Sequence, residues 1–142
     1  MNSLFLTAWL VLLVVNGCAN QATVRSNINL EKLIKGKSKA LPDRHEAIPN
    51  TYFELTAGSG NNAANPQTLN SAVGTLGSTG EVVCVSARDR TESQNAGRCE
   101  VTVGGAKFTL KPRDAVTLKG SGEVALTCTG DAPTNCKALV VN

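Results

Sequence analysis

From Glu81 onward apolar side chains recur at every second residue, and that period leaves the chain little choice of fold. Val101 and Val103, Phe108 and Leu110, Val116 and Leu118, then Val124, Leu126 and Cys128 alternate with polar neighbours. Each run stops at Gly-Gly, Pro-Arg-Asp or Gly-Ser-Gly. Alternation puts one side of an extended strand on a core and the other in water, which predicts antiparallel strands near 82–87, 98–103, 106–111, 115–119, 123–129 and 136–141. Thr51 to Leu55, in the order Thr-Tyr-Phe-Glu-Leu, adds one more. About seven short strands predict an all-β domain over 51–142, a small antiparallel sandwich or barrel. Before Glu81, Asn65-Pro66 has the form of a helix start, with Leu69, Val73 and Leu76 on one face. Gly74 and Gly77 oppose it, so a short helix and an irregular loop stay open there.

Such a domain is short of bulky core. Of five aromatic residues, Phe5 and Trp9 fall in an apolar leader, leaving Tyr52, Phe53 and Phe108. Cysteines compensate. Cys84, Cys99, Cys128 and Cys136 are an even set, and each sits at the loop end of a predicted strand. Glu81 to Val85 and Arg98 to Val103 flank one polar loop; Val124 to Cys128 and Cys136 to Val141 flank a shorter one. We therefore expect two local cross-hairpin bridges, Cys84 with Cys99 and Cys128 with Cys136. A zinc site would want Cys-x-x-Cys pairs or neighbouring histidines, and the sequence has neither, so no metal or other cofactor is expected. Paired cysteines belong to an oxidising compartment.

The N-terminus agrees with export. Residues 1–17 carry no charged side chain, and Leu4 to Val15 is an apolar run of twelve, right for a signal peptide and too short for a bilayer span of about 20. The run ends in Val15-Asn16-Gly17-Cys18. Here the chain resembles bacterial lipoproteins. The resemblance covers the leader alone and implies that signal peptidase II cleaves before Cys18, whose thiol takes a diacylglycerol and whose amine is then acylated. Ala19, where Asp would retain such a protein at the inner membrane, implies sorting to the outer membrane. The alternative is cleavage after Gly17-Cys18-Ala19, which would release a soluble periplasmic protein.

Residues 18–50 read as a lipidated cysteine followed by a polar tether in which Arg25, Lys32, Lys35, Lys37, Lys39 and Arg44 outnumber the acids. A flexible chain of that length reaches roughly 30 Å on average and about 100 Å at full stretch. Leu30, Leu33 and Ile34 have helical spacing among lysines, which suits either a helix on an anionic surface or, as we prefer, a solvated turn.

Catalysis finds little support. His45, the single histidine, falls in the tether, where nothing would hold an imidazole to catalytic tolerance. Gly36-Lys37-Ser38 lacks the opening glycine of a phosphate loop, and Gly77-Ser-Thr-Gly80 lacks the spacing of a nucleophile elbow. Three mature aromatics are few for a sugar cleft or for base stacking, and a net charge of +3 is too small to announce nucleic-acid binding. No small-molecule substrate suggests itself. Recognition is what remains: the bridged loop from Arg88 to Gly97 would present Arg88, Arg90 and Arg98 to an anionic partner. The expected product is a non-enzymatic lipoprotein of the outer membrane, anchored by its acyl chains and facing periplasm or exterior. Its β domain would act as a structural or adaptor part of an envelope complex of secretion or conjugation type. The alternatives are an exclusion factor or inhibitor of a wall-degrading enzyme and, third, a soluble periplasmic binding protein.

Overall fold

A computed structural model describes residues 22–58, 71–89, 95–118, 121–130 and 133–142. The leader, Cys18 and Arg90 lie outside them. The fold is all-β, as the alternation predicts, and of the sandwich and the barrel it is the sandwich, with two β layers. One sheet has six strands in the order β1 (Ala22–Arg25), β8 (Ala115–Leu118), β5 (Glu81–Asp89), β10 (Thr134–Val141), β3 (Thr51–Gly58) and β2 (Ser38–Lys39). The other has four, in the order β4 (Ala72–Leu76), β9 (Gly122–Thr129), β6 (Arg98–Val103) and β7 (Ala106–Leu110). All pairs are antiparallel except β2 with β3.

Between the layers the inward residues of both sheets are almost free of solvent. Phe53, Leu55, Val82, Val116, Ala138 and Val140 come from the six-stranded sheet, and Leu76, Val101, Val103, Leu110, Val124 and Leu126 from the other. Every one sits at alternate positions of its strand, because successive side chains point to opposite faces. The exception proves instructive. In β5 both Cys84 and Ala87, three residues apart, are buried. The register with β10 explains it: Lys137 faces Ser86 while Ala138 faces Cys84, so Val85 is an extra residue and the bulge returns Ala87 to the inner face.

Both disulfides form as expected, Cys84–Cys99 and Cys128–Cys136, but they do not close hairpins. β5 and β6 lie in different sheets, as do β9 and β10, so each bridge passes through the core from layer to layer. Cys99 and Cys128 are direct cross-strand partners in the four-stranded sheet, which sets the two bridges side by side. The hairpin geometry fails because local sequence shows where a strand ends and not which sheet receives the next one.

Two further expectations are corrected. Val73 and Leu76 belong to a strand, β4, paired with β9 from Ala72 to Leu76, and not to a helix; the proposed start at Asn65-Pro66 and Leu69 lies outside the described residues. Second, residues 22–50 are part of the fold and not a tether. β1 pairs with β8 at one edge of the large sheet, and β2 pairs with Thr51 and Tyr52 at the other. Between them a one-turn helix, α1 (Leu30–Ile34), capped by the Asn29 side chain on Lys32 N, crosses the outer face. Ile28, Leu30, Leu33 and Ile34 settle on Val83, Ala115, Leu139 and Val141. Sequence alone could not reveal this, because the apolar patch that receives the strap is assembled from three strands.

Candidate binding surface

The outer face of the six-stranded sheet changes character along its strands. Toward one end it is apolar, with Val83, Leu139 and Val141 under the strap; toward the other, the same strands turn polar. Lys137 of β10 lies between Thr56 of β3 and Ser86 of β5, and Asn135 lies between Gly58 and Arg88. These residues, with Ala57, Asp89 and Cys136, line an open groove of about 560 Å³. Its charges are mixed: Arg88 and Lys137 bring cations, Asp89 a carboxylate, and Glu54 lies 3.7 Å from the Lys137 ammonium on the groove's flank. Hydrogen-bond donors and acceptors on a rigid pleated floor suit a polar partner.

At Thr56 the groove meets a second hollow of about 570 Å³ at the sheet edge, lined by Lys39, Ala40, Leu41, Pro42, His45, Phe53 and Glu54. His45 is a packing residue here. Its ring stacks on Phe53 with centroids 5.0 Å apart, and its carbonyl accepts from Thr75 N at 3.0 Å and Thr75 Oγ1 at 2.9 Å. Residues 40–48 thus bridge from the large sheet to the edge of the small one, closing that side of the sandwich. Among the described residues no group of three or more His, Cys, Asp or Glu could hold a metal ion, and no helix is long and apolar enough to cross a membrane.

The expected arginine cluster is not assembled as one site. Ala87 and Cys99 point inward, so Arg88 stands on the outer face of the large sheet and Arg98 on the outer face of the small one. The Arg98 guanidinium is turned to the backbone, donating to the Ala96 and Gly97 carbonyls at 2.8 Å each. Arg88 instead joins Lys137, and Arg90 lies outside the described residues. The loop's base is held by Asn95 Oδ1, which accepts from Ala87 N at 2.7 Å, and by Gly97 N, which donates to Ala87 O at 3.0 Å. Sequence reasoning missed Thr56, Ser86, Asn135 and Lys137. Asn135 and Lys137 were legible as outward residues by their alternation with Cys136 and Ala138, but their neighbours were not.

No family model, curated protein or solved structure matches this chain.

Proposed function

We propose that the protein is an outer-membrane lipoprotein whose β domain serves as a non-catalytic docking or adaptor part of an envelope assembly. The observation that carries this reading is the cysteine inventory. Of five cysteines, the two inter-sheet bridges consume Cys84, Cys99, Cys128 and Cys136. Cys18, at the end of the apolar leader, is the one they leave for another chemistry. Buried bridges in a lean core agree with an oxidising compartment, and a thiol following Val15-Asn16-Gly17 fits acylation. More than one acyl chain then gives a lasting anchor, since each buried methylene contributes about 0.8 kcal/mol.

The polar groove supports docking, because its floor offers hydrogen-bonding side chains and charges of both signs on one face of the sheet. Cells fed radiolabelled palmitate should label the wild type and not Cys18→Ala; equal labelling would end the anchoring claim. Purified in mild detergent, an adaptor should travel with a large complex. A small one-to-one complex that abolishes a target's activity would instead identify a blocker.

A further inference from the structure

The four residues from Cys18 to the start of β1 at Ala22 span at most about 14 Å even when extended. An acylated Cys18 would therefore hold the folded domain against the bilayer. The corner it holds is defined by the register. Thr23, Thr117, Glu81, Val141, Tyr52 and Lys39 form one row across the six strands, and Ala22 sits one residue beyond its first member. Ala22 and Lys39 are thus at the same end of the sheet, on opposite edges, with five strand spacings or about 24 Å between them.

The strap joins those corners. Its apolar side is turned to the sheet, where Ile28, Leu30, Leu33 and Ile34 are packed and partly buried. Its outer side carries Lys32, Lys35 and Lys39, all exposed, and none of the three is in an ion pair among the described residues. Arg25 is different, being paired with Glu81, and Lys37 donates to the Asn142 carbonyl at 2.7 Å. Residues 30–39 hold a single acid, Glu31.

We propose that this lysine-bearing strap is a docking surface for anionic phospholipid headgroups of the leaflet that holds the Cys18 acyl chains, an inference that rests on the lipoprotein reading. The contact is electrostatic, since the apolar side of α1 is turned to the sheet and its lysines to the outside, and it weakens with salt as the screening length shortens. The domain leans on its strap and does not swing on a leash. Asp89 lies eight residues along β5 from Glu81, so the polar groove opens about 26 Å farther along the strands, at the end away from the anchored corner.

The test uses the lipidated full-length mature protein reconstituted into vesicles of phosphatidylcholine alone or with one-third phosphatidylglycerol, floated on a density gradient and acetylated at amines. Mass spectrometry then compares Lys32, Lys35 and Lys39 with Lys107 and Lys111, which lie on or beside β7 of the other sheet. Docking predicts that the three strap lysines react about fivefold more slowly on anionic than on zwitterionic vesicles and recover in about 0.5 M salt, while the other two do not change. Equal reactivity on both vesicle types in floated protein overturns the docking and leaves the anchor standing. Protein that fails to float overturns the anchor, and the docking falls with it.

Discussion

Two residues show how closely this fold is fitted. Gly97 ends the loop before β6, and a Cβ there would lie 2.6 Å from Thr134 Cγ2, 2.8 Å from the Thr129 carbonyl oxygen and 3.0 Å from that of Ala87. Two of these neighbours are backbone of β9 and β5 and cannot step aside. Gly97→Ala should therefore cost about 1 to 3 kcal/mol in urea unfolding. A variant as stable as wild type would show that the loop base has room for a Cβ. Asn142 is only 6% exposed although polar, because its groups are used: N donates to Thr51 O, Oδ1 accepts from Gly77 N at 2.6 Å, and its carbonyl accepts from Lys37. Asn142→Ala removes the side-chain acceptor and leaves the Gly77 N–H without it, for a loss of about 1 kcal/mol by the same measurement. Neither role was legible in sequence, since both depend on atoms far along the chain.

Among the elements, the disulfides and the strap divide the task of holding a core poor in aromatic volume. The loop-closure model gives on the order of 3 kcal/mol for Cys84–Cys99, with a sequence separation of 15, and about 2.5 for Cys128–Cys136, with a separation of 8. Replacing each pair by alanine should lower stability by about these amounts, the first pair costing more, as read from denaturant midpoints. The pairing could be read from the sequence because each cysteine has its partner on the next strand along the chain, although Cys84 lies in the middle of β5 and not at its end. That the bridges cross between sheets could not, because β5 and β6, like β9 and β10, lie in different layers and the composition of the residues between them does not state the layer. The strap was hidden for a related reason. Leu30, Leu33 and Ile34 make too short an apolar stripe to call for a partner by themselves, and Val83, Leu139 and Val141 become a patch only when β5 and β10 lie together. Leu33→Asp should lift α1, and tryptic cleavage after Lys32 and Lys35 should then quicken by at least about tenfold. Unchanged cleavage would mean the helix does not depend on that contact.

For the molecule as a whole, the N-terminal segment decides whether the sandwich can stand alone. Residues 22–50 cover both edges of the large sheet and the apolar half of its outer face, so a fragment of residues 51–142 would expose Val83, Ala115, Leu139 and Val141 and leave the edges of β8 and β3 unpaired. Its unfolding midpoint, followed by circular dichroism, should fall by at least about 10 °C, with association at high concentration. An unaltered midpoint would restore the segment to the status of a tether. What the sequence determined by itself was the all-β class, as sandwich or barrel, most strand positions and the partners of both bridges, because these follow from alternation and from separations of 15 residues or fewer. Only the tertiary structure decided which sheet each strand joins, that the basic N-terminal segment is bound to the domain, and that Arg88 lines a groove with Lys137 and not with Arg98. Those outcomes turn on pairings between residues far apart in the chain, and the free energy that selects them belongs to the assembled faces, not to any local run of residues.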